Sequence, residues 1–318
     1  LHGTELGINR LGVSKGVYIV VPTWSKFSGI LLSGQQFLTN KALVMGFVKL
    51  LGVPFTVGCR AETASAIDQQ NGPRAIRDAI RSLTANYSTI NSFDDLGDVK
   101  AKAMVEDVLG ATSKAVGEIV SKGDTPLILG GAHTITLGTL RALAEKKPGF
   151  SLVYIDAHPD IMPRPHIDYG SVIFHAIKEE LIEPKNIAII GMRQVEDPEY
   201  KIIEEQEIFH LHAHEVCALG VHEVVRQIRD RLPGPYMVSF DIDSVDPAFA
   251  PGVTSPYPCG LSSSEAMALL EELCKSGVLA LEVMELSPIN DYNDATARLA
   301  ASIILRVSRL LGPRNRAN

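Results

Sequence analysis

From Leu50 onward, short apolar runs alternate with longer stretches of helical period, the pattern of an α/β domain with a mainly parallel sheet. The runs at 126–131, 151–156, 186–191, 236–241 and 278–285 are rich in Ile, Val, Leu, Tyr or Phe. Near-continuous hydrophobicity over so few residues predicts strands covered on both faces, as in a doubly wound sheet. Helical period predicts helices over 73–83, 101–121, 263–275 and 295–311. The third opens with serines and carries Glu265 near its start, which suits an N-cap and the helix dipole. Residues 1–45 have weak periodicity and read as an N-terminal arm packed on the main body or on a neighbouring subunit. No repeat or linker divides the chain, so a single domain over 1–318 is expected.

Composition narrows the function classes. Apolar residues make up 46% and charged residues 21%, enough for a sizeable core. The net charge of −7 argues against a nucleic-acid partner, which normally calls for a basic face, and it fits a small cationic substrate. Apolar stretches such as 17–22 are far too short to span a bilayer, and the chain's beginning does not read as a signal peptide. Cys59, Cys217, Cys259 and Cys274 include no CxxC pair. That spacing gives neither a zinc knuckle nor a disulfide framework and points to a reducing, cytoplasmic setting. Cys217, Cys259 and Cys274 are expected as buried thiols.

Chemistry gathers where the apolar runs end. Asp156, His158 and Asp160 follow the run Ser-Leu-Val-Tyr-Ile, and alternate residues of an extended chain share a face. Asp241 and Asp243 follow Tyr-Met-Val-Ser-Phe in the same way, with Asp246 next. His133 comes after an apolar run and a glycine pair. Ligand sites of open parallel sheets lie beyond these strand ends. Four buried carboxylates would repel one another unless cations neutralised them. Oxygen-rich ligands with some imidazole suit manganese, with nickel, cobalt or iron as alternatives. Taken singly, each Asp reads equally as a turn former or cap; two clusters after two buried strands favour metal.

The motifs Gly-Gly-Ala-His at 130–133, Asp-Ala-His-Pro-Asp at 156–160 and Ser-Phe-Asp-Ile-Asp-Ser-Val-Asp-Pro at 239–247 resemble the three signatures of the ureohydrolase family, which includes arginase, agmatinase, guanidinobutyrase and formiminoglutamase. Gly72-Pro73-Arg74 and the stretch from Glu282 to Pro288 match as well, so the resemblance runs over roughly 50–312. It implies a three-layer α/β/α fold and a centre of two divalent ions, manganese first and nickel or cobalt as alternatives. His133, Asp156, Asp160 and Asp241 would hold one ion. His158, Asp156, Asp241 and Asp243 would hold the other. Such a pair activates water near neutral pH, and attack on a guanidino carbon would release urea and an amine. Glu285 matches the position that meets the substrate guanidinium, where a carboxylate suits a planar N–H fork. With Asp160 and His166 it completes the expected catalytic set. The family's usual trimers and hexamers imply a homo-oligomer, with a related partner subunit as an alternative.

Three departures bear on activity. Tyr169 stands where arginases and agmatinases usually place a proton-shuttling His, and His166, three residues upstream, is the candidate substitute. Ala132 replaces the Asp that usually precedes the first His ligand. Met162-Pro163-Arg164-Pro165 fills the place of the polar loop with which arginases hold the α-amino and α-carboxylate groups, which disfavours L-arginine. Arg164 and Arg193 are candidates to meet a carboxylate on another substrate. His210, His212 and His214 alternate over a short strand at 208–213, which reads as a polar edge strand. A formiminoglutamase-like hydrolase and a weakly active regulatory paralogue are the competing expectations.

Overall fold

The computed structural model describes residues 47–58, 63–85 and 93–311. The expected N-terminal arm and Cys59 lie outside the described residues. Eight strands form one sheet: β1 (Val48–Val53), β2 (Phe93–Asp98), β3 (Thr125–Gly130), β4 (Ser151–Ile155), β5 (Ile187–Met192), β6 (Phe209–His212), β7 (Tyr236–Asp241) and β8 (Val278–Met284). Every pairing is parallel, and the order is β2-β1-β3-β8-β7-β4-β5-β6.

The helices are α1 (Ala64–Asp68), α2 (Gly72–Ala85), α3 (Val105–Ser121), α4 (Thr136–Lys146), α5 (Val172–Lys178), α6 (Asp197–Glu205), α7 (Ala213–Leu219), α8 (Val221–Arg231), α9 (Ser263–Cys274) and α10 (Ala295–Leu311). They cover both faces of the sheet, giving the expected three layers. One apolar core joins α2 and α7 to α10 to one face, through residues such as Ile76, Val216, Ile228, Leu269 and Ile304. The other joins α3 to α6 to the opposite face, through Leu109, Leu140, Ile173 and Ile203. Burial on both sides explains the unbroken apolar runs: all of β4, β5 and β7 is buried. No helix among the described residues is long and apolar enough to cross a membrane.

Strand order places the chemistry. β3, β8, β7 and β4 are consecutive neighbours, and they are the four strands whose ends carry the candidate residues. The turn after β3 brings the backbone hard against its neighbour. A Cβ on Gly131 would lie 2.1 Å from the carbonyl oxygen of Phe55, so only glycine passes there.

Two thiol expectations are corrected. Cys217 and Cys259 are exposed, while Cys274 is buried. Cys217 lies on the outward side of α7, next to the buried Val216, and Cys259 lies in the exposed loop that precedes α9. Of the alternating histidines, His210 and His212 lie on the edge strand β6, whereas His214 falls in the first turn of α7. The rings of His210 and His212 are 6.0 Å apart and those of His212 and His214 5.6 Å apart.

Candidate metal centre

The six expected ligands converge beyond the ends of β3, β4 and β7. His133 opens a short 3-10 turn after β3 and is 1% exposed. Its Nδ1 lies 2.8 Å from Asp156 Oδ2, 3.0 Å from Asp241 Oδ2 and 3.7 Å from Asp160 Oδ2. His158 Nδ1 lies 3.3 Å from both Asp156 Oδ1 and Asp243 Oδ2. Potential ligand atoms of His133, Asp156 and Asp160 lie within 4.8 Å of one another, and so do those of Asp156, His158 and Asp243. Asp156 belongs to both groups.

The far sides of both imidazoles are engaged. His133 Nε2 is 2.8 Å from Ser239 Oγ, and Ser239 Oγ is 3.1 Å from Glu282 Oε2, which Thr136 Oγ1 also reaches at 2.7 Å. If each group donates in turn toward the Glu282 carboxylate, the Nε2 proton goes to Ser239 and His133 Nδ1 keeps its lone pair toward the aspartates. His158 Nε2 is 2.9 Å from Gln194 Oε1, which fixes the same tautomer. Partners of this kind orient metal ligands. A bare nitrogen facing three carboxylate oxygens needs positive charge beside it, a proton or a metal cation, and the donor set fits a pair of divalent ions.

Burial and charge show the same need. Burial opposes a proton on His133, yet hydrogen bonds to Asp156 and Asp241 hold it well above the usual imidazole range. Asp160 is pushed well above the carboxylate range by burial and by Asp156. Burial and the charges of Asp243 and Asp156 do the same to Asp241. Glu285, driven chiefly by burial, is pushed up from 4.5 to about 7. The folded chain therefore holds protons that the unfolded chain has released, and stability falls as pH rises from about 4.5 through about 7. The raised histidine acts with the same sign above its ordinary value. A bound divalent ion favours the ionised carboxylates. The melting temperature of the metal-free chain is thus expected to decline between about pH 5 and pH 8, and the increment from added manganese is expected to grow over that range. Thermal melts with chelator and with manganese check both.

The site contains residues that the motifs did not announce. Tyr154 stacks on His133 with ring centroids 4.4 Å apart and donates its hydroxyl to Asp160 Oδ2 at 2.6 Å. The alternation that puts Asp156 at the strand end also puts Tyr154 on the same side, so this signal was available. Replacing Tyr154 by Phe keeps the stack and removes the hydrogen bond. Manganese affinity is expected to fall by about 10-fold to 100-fold, read by chelator competition. Both Asp160 and Glu285 hold left-handed backbone, with φ of 47° and 69°, a conformation that costs on the order of 1–3 kcal/mol and clusters at functional sites.

Glu285, just past β8, lines the same cavity of about 40 Å³ as His133, His158, Asp160, Asp241, Asp243, Gln69, Tyr169 and Thr254. The other expected residues lie elsewhere. His166 is exposed and does not line this cavity, whereas Tyr169 does. Arg164 is bound to Asp168 at 2.6 Å. Arg193 donates to the carbonyls of Asp243, Ser244 and Tyr257, tying down the loop after β7. Neither arginine lines the cavity. Asp246 accepts from the N–H groups of Ala248 and Gly260, so the third acidic residue of that motif serves the loop.

A parallel α/β sheet with histidines and aspartates gathered at the carboxyl ends of its middle strands forms a cluster that could hold metal ions. The arginase family model matches residues 47–308, and the chain belongs to that family, hydrolases of guanidino C–N bonds. It is 32% identical over 305 residues to guanidinopropionase of Pseudomonas aeruginosa, covering 90% of this chain and 93% of that protein. The crystal structure of a hypothetical agmatinase from Burkholderia thailandensis is similar at 29% identity and a TM-score of 0.73, covering 84% of this chain and 85% of that one. Formimidoylglutamase of Bacillus subtilis shares the fold, with a TM-score of 0.76 at 21% identity over 85% of this chain and 89% of that one.

Proposed function

We propose that the chain hydrolyses a small alkylguanidine lacking an α-carboxylate, an agmatine-like compound, to urea and the corresponding amine. The observation that carries this is a half-buried carboxylate, Glu285, sharing one cavity with five of the six candidate ligands, His133, His158, Asp160, Asp241 and Asp243. His133, Asp156, Asp160 and Asp241 would hold one divalent ion, and Asp156, His158, Asp241 and Asp243 the other. Bound there, the ions supply Lewis-acid charge that lowers the pKa of water. Manganese is the ion the donor set favours.

The chain's own residues do the rest. Glu285 meets the guanidinium with its two oxygens and presents the planar carbon to the cluster. Asp160 accepts a proton from water as the oxygen adds to that carbon. It returns the proton to the nitrogen that departs as the C–N bond breaks. Asp160 lines the cavity and His166 does not, so proton transfer is assigned to Asp160. Four aspartates and Glu285 against two divalent ions leave a net charge of −1, which favours a cationic substrate over one that carries a carboxylate. Among the described residues, no Lys or Arg lines the cavity, which disfavours guanidino acids and L-arginine. A homo-trimer or hexamer in the cytoplasm belongs to the same proposal, supported by the exposed Ile289 and Tyr292.

The test is urea release by the manganese-loaded and nickel-loaded chain from agmatine, guanidinobutyrate, guanidinopropionate and arginine, with formamide release followed for formiminoglutamate. Agmatine is expected to lead by about 10-fold or more in kcat/KM, a gap a single unpaired charge readily produces. No urea from any guanidine, with two ions bound per chain, would contradict the reading.

A further inference from the structure

Glu285 is gripped by two donors from distant parts of the chain. Its Oε1 accepts the backbone N–H of His133 at 2.5 Å, and its Oε2 accepts from Gln69 Nε2. The same Nε2 donates to Thr254 Oγ1 at 2.8 Å. Gln69 begins the 3-10 turn between α1 and α2 and is 1% exposed.

The platform beneath Gln69 is anchored independently. Thr63 caps α1 through its side chain. Ser287 Oγ donates to the Ser65 carbonyl at 2.9 Å, and the N–H of Ile289 donates to Asp68 Oδ2 at 2.6 Å. The segment is thereby fastened to the chain just after Glu285, and Gln69 ties it to the loop bearing Thr254. Burying an amide is unfavourable unless its hydrogen bonds are made, and an apolar side chain would fill the same space without that demand. The amide needs a reason, and its bond to the Glu285 carboxylate supplies one.

We infer that Gln69 is a positioning residue that aims the Glu285 carboxylate at the guanidino end of the substrate. The inference rests on the guanidine hydrolase reading above. A carboxylate offers about four acceptor directions, two per oxygen. His133 N–H occupies one on Oε1 and Gln69 occupies one on Oε2. One direction remains on each oxygen, which is what a two-pronged guanidinium fork requires. Without Gln69 one oxygen loses its restraint, and the carboxylate is free to turn about its terminal torsion, which is broad. A contact made equally with bound substrate and transition state, once weakened, raises KM and leaves kcat nearly unchanged.

The test uses the full manganese-loaded chain and the guanidine that the wild type hydrolyses. Gln69→Leu keeps volume and removes the amide. It is expected to raise KM about 10-fold, to change kcat by less than about 3-fold, and to leave manganese stoichiometry at the wild-type value. Thr254→Val removes the second anchor of the amide and is expected to raise KM by a smaller factor. Because both act through one contact, the double variant should be no worse than Gln69→Leu alone. Should Gln69→Leu fail to fold, Gln69→Ala and Thr254→Val carry the same comparison. An unchanged KM overturns the inference, as does additivity of the two substitutions. A lowered KM also overturns it, because Gln69 would then be a plug that competes with substrate. Those results leave an active guanidine hydrolase standing. A wild type with two ions and no turnover of any guanidine removes the functional reading, and the inference with it.

Discussion

Asp241→Ala is expected to abolish hydrolysis and the gain in melting temperature from manganese, while leaving the metal-free chain at least as stable as wild type. The two effects have different origins. Loss of a single preorganised electrostatic group typically costs about 10²–10³ in kcat, and Asp241 is assigned to both ions, so a larger loss follows. In the metal-free chain Asp241 is buried at 2% exposure, beside Asp243 and Asp156, with its carboxyl pushed well above the usual range. Removing it relieves burial and repulsion that outweigh its contact with His133. If Asp241 were only a structural cap for the N–H of Asp243, which its Oδ1 accepts at 2.7 Å, the metal-free variant would be the less stable one. Paired thermal melts with and without manganese, alongside urea assays, separate the two.

Glu285→Gln is the second large effect. The substitution preserves size and an acceptor for the His133 N–H, and it removes the negative charge. Hydrogen bonds to charged groups are worth about 1.5–3 kcal/mol each. Losing two should lower kcat/KM for a guanidine by about 10²–10⁴-fold. Manganese should still bind at the wild-type stoichiometry, because Glu285 is assigned to neither ion. The pH profile carries an independent sign. In the wild type, guanidine recognition should strengthen as pH rises through the titration of Glu285, which burial places near about 7 without cations and which bound cations draw lower. Glu285→Gln should lose that limb of the KM profile. A variant that loses its metal instead would place Glu285 in the centre itself.

Much of this was written in the strands that carry the site. Ser151–Ile155 and Tyr236–Asp241 are buried on both faces, so their apolar runs announce them, and a ligand that follows such a run is placed by the fold. The same logic fails at the sheet edge. Among the described strands β2, Phe-Asp-Asp-Leu-Gly-Asp, pairs only with β1 and carries acids that bind Lys49 and Arg77. Charged residues of that kind guard an edge but read as loop in sequence.

The partners of the ligands were harder to see. Gln194 and Glu282 act through contacts made only in three dimensions. Gln69 lies 216 positions before Glu285, and no local pattern links them. The engagement of the arginines was hidden for a related reason. Arg164 and Arg193 look available in sequence, yet a nearby aspartate and three carbonyls engage them in the fold. His166 illustrates the limit at a loop: three residues from Tyr169 along the chain, it is exposed while Tyr169 faces the cavity.

Anomalous diffraction from manganese-soaked crystals addresses the centre itself. Two peaks about 3.5–4 Å apart are expected, one among His133, Asp156, Asp160 and Asp241, the other among Asp156, His158, Asp241 and Asp243. Aspartates still bonded to the two histidines with no peak between them, or a lone ion outside this ring of side chains, would contradict the account.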